Sequence, residues 1–394
     1  MSSPAPDKPT TSSAGRRLLR TGSWLKVVAW IVFLPGFGAL CLHNGLLGPA
    51  ALLGVLGLAL GLRLTFVLRG WRRQALMGLC LFQAVLLLSA LWQLARPMRG
   101  GWQRLPNTAG WSDPTLLLTG DGVLVVVTSS PKGSFWSDDG GRSFRPRGLP
   151  GHFGFVLADD ARRGWVWVGT SQGEVLNMYH RGKGRWLQLP RPAGHVWGLA
   201  LSEDRIFMAL GMGGRRGTSD RDRGWARVPE SDHCTGVAAA PDDEERLLAV
   251  GRDWFGSNDG GKSWSRVSSP AGAGFAHPSV ALGGGGWSYV YEGGMLTGAL
   301  AVAGPGQARF EPRRPPVTDV RVLVADAEDG RLVWLGSWGQ GVFRSHDAGQ
   351  HWEDLGLRSI EVRSLVVDPR HHRLFAASSN LALRRGVYVR TVTP

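Results

Sequence analysis

Hydrophobic positions along this chain fall into two regimes. Up to about residue 98 they form three long runs, WLKVVAWIVFLPGFGALCLH (24–43), LLGPAALLGVLGLALGLRLTFVL (46–68) and ALMGLCLFQAVLLLSALWQL (75–94). Each is near the roughly 20 residues that cross a bilayer as a helix. From residue 101 onward the apolar stretches shorten to strand length, and Gly, Pro, Asn and Asp break them about every ten residues, the pattern of an all-β domain. One stretch shows the grammar: HCTGVAAAP, RLLAVGR, WFGSNDGG, KSWSRVSSP, four short strands in succession. Second strands of the same kind are GVLVVVTSS, GWVWVGTS, RIFMALGMG, GWSYVYEGG, RLVWLGSWG and RLFAASSN, which with RLLAVGR makes seven units. The last unit, from Ile360 onward, supplies only three strands, while GWQRLPNTAG at 101–110 has the character of a detached fourth. If that early strand completes the last unit, the domain closes on itself and leaves no free sheet edges.

A polar motif recurs within these units. Ser-x-Asp-x-Gly-x-x-Trp/Phe is intact three times: Ser137, Asp139, Gly141 and Phe144; Ser257, Asp259, Gly261 and Trp264; and Ser345, Asp347, Gly349 and Trp352. A worn copy, TSDRDRGW at 218–225, keeps Thr218, Asp220 and Trp225 but has Asp222 where the glycine belongs. The separations of 39, 120 and 88 residues between Thr218 or Ser137 and Ser257, and between Ser257 and Ser345, are near multiples of about 40, a period of propeller blades. A calcium loop would carry more carboxylates and a closing glutamate. The fold expected is therefore an all-β seven-bladed β-propeller over 101–394. An α-helical membrane region of about three transmembrane helices over 23–98 precedes it, after a Ser/Pro/Thr-rich tail over 1–22 expected to be disordered.

Charge changes how the basic composition is understood. The net charge is +14, but residues 1–100 hold 11 Lys and Arg against one acidic residue, Asp7, so most of the excess flanks the apolar runs. This argues for membrane topology and against nucleic acid as the partner. Arg16, Arg17, Arg20 and Lys26 before the first run, and Arg69, Arg72 and Arg73 after the second, place the N-terminus and second connection in the cytoplasm by the positive-inside rule. The propeller is then expected on the periplasmic side of an inner membrane. Arg96, Arg99 and Arg104 argue for the opposite side and for two spans. Cys41 and Cys80 lie in the apolar runs, leaving Cys234 without a partner for an intrachain disulfide in the β domain.

The repeated motif resembles the Asp-box, or BNR-repeat, propellers, a family that includes sialidases, the sortilin ectodomain and the photosystem II stability/assembly factor. The resemblance covers about residues 102–394. It implies that each box is a structural hairpin between a blade's third and fourth strands, with Ser and Asp bonding local backbone and the aromatic wedged between blades. A sialidase reading would further need an Arg triad, a Tyr nucleophile with its Glu, and an Arg-Ile-Pro motif. No Arg-Ile-Pro occurs, and Tyr289 or Tyr291 with Glu292 falls inside an expected strand.

Aligning the units on their first strands brings out a quieter column. His152, His195 and His233 share one position, His277 is one residue off, and Asp319 and Glu361 follow, accompanied by Arg321 and Arg363. First strands line a propeller's channel, so these residues should ring one mouth. Four such histidines suit a transition metal and resemble in arrangement the iron site of carotenoid oxygenases; ordinary solvated loop residues are the alternative. With Phe153, Trp197 and Phe275 nearby, the same mouth also suits a partner or ligand, since Arg and aromatic residues carry interface energy. GGGG at 283–286 precedes no helix and offers no phosphate cradle. The function expected is a membrane-anchored binding or assembly-scaffold module for a protein complex or ligand, with no required cofactor. The alternative is an enzyme, either sialidase-like or metal-dependent at the histidine-lined mouth.

Overall fold

The computed structural model describes residues 100–392 apart from 152–153, 171–173, 193, 203–204, 212–216, 221–223, 228–233, 270–277, 295–296, 308 and 380–383, together with scattered residues between 52 and 89. The chain divides into two compact units, Met1–Arg96 and Pro97–Pro394. In the first unit the described helical pieces include 52–56 and 80–85. Among the described residues no helix is long and apolar enough to cross a membrane. This overturns the expected membrane region of about three transmembrane helices. The tail over 1–22 and the apolar run over 24–43 lie outside the described residues.

The second unit is all β. Its described residues form seven four-stranded antiparallel sheets. Six are consecutive hairpin meanders, called blades 1 to 6 here, whose first strands are Thr115–Leu118, Gly154–Asp160, Gly198–Leu201, Cys234–Ala239, Ser279–Leu282 and Val320–Ala325. Blade 7 is composite: Val362–Asp368, Arg373–Ser378 and Gly386–Thr391 are joined at the outer edge by Gln103–Arg104 from the start of the unit. Each first strand neighbours the first strands of the blades on either side, and blade 7 neighbours blade 1, so these strands make a closed inner ring.

The core follows from that arrangement. A blade's second strand is covered on both faces by adjoining blades, which is why it reads as an unbroken apolar run and not as an alternation. Leu124–Thr128 is buried throughout, as is Val333–Ser337. Outer strands face water, and Arg145–Gly148 is exposed along its length. Buried side chains therefore collect in the seams between blades. Val125, Val127 and Trp136 meet Val166, Val168 and Tyr179 between blades 1 and 2, with the Trp136 and Tyr179 rings 4.8 Å apart. Trp334 and Val342 meet Val362, Leu365 and Leu374 between blades 6 and 7.

Ring closure rests on few residues. Only two register pairs, Gln103 with Val389 and Arg104 with Tyr388, hold the closing strand, extended by the Leu105 amide on the Val387 carbonyl at 2.8 Å. Side chains supply the rest. Trp102 is buried against Leu355 and Tyr388 and donates its indole N–H to the Leu355 carbonyl at 2.8 Å. Thr108 is fully buried, its hydroxyl donating to the Leu105 carbonyl at 2.8 Å and accepting from the Val387 amide at 3.2 Å. Trp102→Ala should therefore cost about 3–5 kcal/mol, as for other buried aromatic truncations, read as a lowered urea midpoint for unfolding of the full chain.

Candidate binding site at the channel mouth

The conspicuous Asp-Gly turns are internally braced. In the second box Ser257, buried at the strand end, donates to Asp259 Oδ1 at 2.8 Å and accepts from the Gly261 amide at 2.8 Å. Asp259 in turn accepts the Ser263 amide at 2.9 Å and the Ser263 hydroxyl at 2.5 Å. The first and third boxes repeat the pattern: the Ser137 and Ser345 hydroxyls accept from Gly141 and Gly349, and Asp139 and Asp347 accept the Ser143 and His351 amides. Each glycine has positive φ and faces a neighbouring blade. A Cβ on Gly261 (φ 78°) would stand 2.2 Å from the Phe207 ring, and one on Gly141 2.5 Å from Leu105. The box aromatics follow: Trp264 meets Phe207 edge-on at 5.6 Å and Phe144 meets Trp111 at 5.2 Å, while the Trp352 indole bonds the Gly349 carbonyl at 3.1 Å. At 218–225 the backbone differs. There the strand continues through Thr218 to Asp220, paired with Gly224–Arg227.

Hydrogen bonds from Ser143 and Ser137 hold the Asp139 carboxyl well below the usual range, and those from Ser263 and Ser257 do the same for Asp259. For Asp347 burial acts in the opposite sense, but bonds from His351 and Ser345 prevail and set it at about 2.

The inner ring encloses a different site. A cavity of about 570 Å³ opens at one mouth of the channel, lined by residues at the ends of all seven first strands. His195, Asp319, Arg321, Glu361 and Arg363 all lie on it, as does Trp197. His152, His233 and His277, with Phe153 and Phe275, lie outside the described residues. Among the described residues no three His, Cys, Asp or Glu side chains are grouped to hold a metal ion.

One wall is aromatic. His195 stacks on Trp197 with ring centroids 4.2 Å apart and planes 27° from parallel. Trp197 is 38% exposed, the single large hydrophobic side chain so exposed among the described residues of the propeller.

The wall formed by blades 6 and 7 is ionic. Arg321 contacts Asp319 twice, Nε to Oδ1 at 3.0 Å and Nη2 to Oδ2 at 3.3 Å, and its guanidinium lies 4.3 Å from the Trp338 ring centroid. Arg363 reaches Asp113 at 2.8 Å, a residue before blade 1, and Glu361 at 3.6 Å. Glu361 also accepts the Ser379 hydroxyl at 2.6 Å. Burial raises the Asp319 carboxyl above its ordinary range; Arg321 pulls it back in part, and Glu361 adds to the rise.

A backbone relay fixes these groups. The Asp319 amide donates to the Gly294 carbonyl at 3.0 Å, the Trp338 amide donates to the Asp319 carbonyl at 3.0 Å, and Trp338 bridges to Glu361. Asp319 takes positive φ (55°) within this relay, a conformation Asp tolerates better than most residues. Trp338 and Asp113 escape a reading by strand alignment, because one sits in the loop after a second strand and the other precedes the first blade. The only sequence signal for Trp338 is the Gly-flanked tryptophan in GSWGQG.

The tyrosines considered for a sialidase role are elsewhere. Tyr289 and Tyr291 are fully buried between blades 5 and 6, and the Tyr289 hydroxyl donates to the Gly330 carbonyl at 2.6 Å.

No family model matches the chain, and no curated protein matches it in sequence. The likeness to solved structures is in the fold. A catalytically inactive virginiamycin B lyase from Staphylococcus aureus, solved with quinupristin, superposes with a TM-score of 0.59 at 14% identity, over 74% of this chain and 99% of that one. YCF48 from Cyanidioschyzon merolae gives 0.55 at 13% identity, over 74% and 98%. A chain of the mitotic checkpoint complex gives 0.60 at 12% identity, over 76% and 94%. The second unit is thus a β-propeller, and identities this low carry the fold and nothing finer.

The box carboxylates make one stability test. A carboxyl whose pKa is depressed by folding stabilises the native state above its unfolded pKa, and that contribution is lost as pH falls through the folded value. Asp259→Ala should therefore lower the melting temperature at neutral pH. Thermal scans should show the gap to wild type closing as pH drops below about 4, the ordinary Asp range.

Proposed function

We propose that this propeller is a binding or assembly-scaffold module that engages a protein partner or ligand at the channel mouth. The observation that carries the reading is Trp197, an exposed aromatic platform on the rim of a cavity whose other side is a pre-set ionic network. A single exposed aromatic is ordinary on a protein surface, but this one stacks on His195 at the rim of a cavity walled by Arg321 and Arg363, and Arg and aromatic side chains are the types that carry interface energy. Aromatic and Arg side chains held rigid before binding lose little entropy when a partner arrives. The presence of a similar fold in the mitotic checkpoint complex is consistent with work inside an assembly. The box turns resemble those of Asp-box propellers and serve as bracing in this reading. That the basic, apolar first hundred residues bring the module to a membrane surface is part of the proposal and rests on sequence alone.

Crosslinked co-purification from native cells tests it. Truncating an anchoring tryptophan typically costs about 2 kcal/mol or more, so Trp197→Ala should weaken partner capture about 30-fold, and Arg321→Ala should weaken it further. Both variants should keep a folded propeller by circular dichroism. Unchanged capture by the double variant would remove the mouth from the mechanism.

A further inference from the structure

The seam between blades 4 and 5 buries a carboxyl that no cation neutralises among the described residues. Glu292, near the end of the strand Ser288–Gly293, is 8% exposed. Its Oε1 accepts the indole N–H of Trp254, itself 1% exposed, at 3.1 Å. Its Oε2 is buried and has no hydrogen-bond partner among the described residues. The carboxyl borders a void of about 40 Å³ whose other walls include Trp254, Val290, Leu300 and Pro312, none of them ionisable.

Charged groups on the described elements around it form ion pairs elsewhere, apart from Arg252, which lines a separate pocket with Asp253 and Arg266. Asp253, beside Trp254, pairs with Arg266. Arg313 on the outer strand of blade 5 pairs with Glu311 at 2.9 Å, and the strand Gly298–Ala303 carries no charge. Tyr289 and Tyr291 alternate to the opposite face of Glu292's own strand and pack toward blade 6. An ionised carboxylate with one donor in such a place is costly, whereas the neutral acid is tolerated far better.

We propose that Glu292 is held as a neutral carboxylic acid in the folded propeller and that its ionisation loosens the seam, making it a pH-sensitive latch beside the mouth. Burial pushes its carboxyl above the usual glutamate range, with the Trp254 bond acting in the opposite sense. The latch reaches the mouth through the next two residues. Gly293 and Gly294 line the cavity, and the Gly294 carbonyl holds the Asp319 amide. Control of binding by this route rests on the mouth being the binding surface; the protonation of Glu292 does not.

The direction with pH is opposite to that of the box carboxylates. A carboxyl with a raised folded pKa stabilises fully below its unfolded pKa, and the contribution is lost as pH rises through the folded value. Full-length wild type, Glu292→Gln and Trp254→Phe are to be unfolded in denaturant across about pH 4 to 9, a range spanning the ordinary Glu value and well above it. The unfolding constant of wild type relative to Glu292→Gln should rise by up to about tenfold per pH unit and then level off. Trp254→Phe should move that levelling to higher pH, because it removes the donor that the described residues offer to the charged form. Infrared spectra should show a protonated-carboxyl band at neutral pH that Glu292→Gln lacks. Hydrogen exchange should show protection of the Asp319 amide falling over the same pH range in wild type but not in the Gln variant.

A pH-independent ratio, or a carboxyl band identical in the two proteins, overturns the neutral acid. A titrating Glu292 with unchanged Asp319 protection overturns the latch. If the Gln variant does not fold, the shift of the infrared titration between wild type and Trp254→Phe decides the first point. Partner capture enters none of these readouts, so failure of the mouth reading leaves their outcome unaffected.

Discussion

Burial of sheet faces against neighbouring sheets is the constraint on which everything else in this propeller depends. No blade can cover its own two faces, so each second strand stays dry only when a blade stands on either side. Val125 and Val127 need Val166 and Val168, and Trp334 needs Val362 and Leu374. Stability is therefore shared around the ring, and the place where the chain must return to its own beginning is where that sharing is completed. The box turns serve the same end. Their serines and aspartates hold a tight corner so that a glycine and an aromatic can press against the adjoining blade.

The mouth follows from the ring as well. First strands converge there, and the loops that enter them bond to the blade before, so side chains distant in sequence meet with little freedom. Arg363 and Asp113 are 250 residues apart. A site built this way is rigid because its supports are backbone hydrogen bonds. Its chemistry is mixed, with an aromatic platform on one wall and paired charges on another.

Much of the strand grammar was legible. Continuous apolar runs such as LVVVT and VWLGS mark strands buried on both faces, and the spacing of the boxes marks their hairpins. The incomplete last unit and the stray strand at its start pointed to closure, and the pairing of Gln103 with Val389 is that closure. Apolar runs near Leu52 and Leu81 suggested membrane helices on length and hydropathy alone, and no described helix has the required length. The worn box keeps the residues of the motif but not its strand end, because a strand can continue where the sharp glycine turn is missing. In the mouth, aligning first strands brought Asp319, Arg321, Glu361 and Arg363 together but could not show Trp338 under the guanidinium or Asp113 across the join. Such partners are set by tertiary return of the chain and leave no local period.

The closing strand gives the molecule a mechanical polarity. Its two-residue ladder is the point at which the segment before residue 100 is attached to the ring, so tension applied from that side falls on the ladder's end and peels its bonds one at a time. The wedge of Trp102 and the buried Thr108 act as the rivet on that edge. Load from the C-terminal side falls instead on Gly386–Thr391, a strand clamped between two others. Pulled from its beginning the ring would unlock at one join, and pulled from its end it would have to tear a blade.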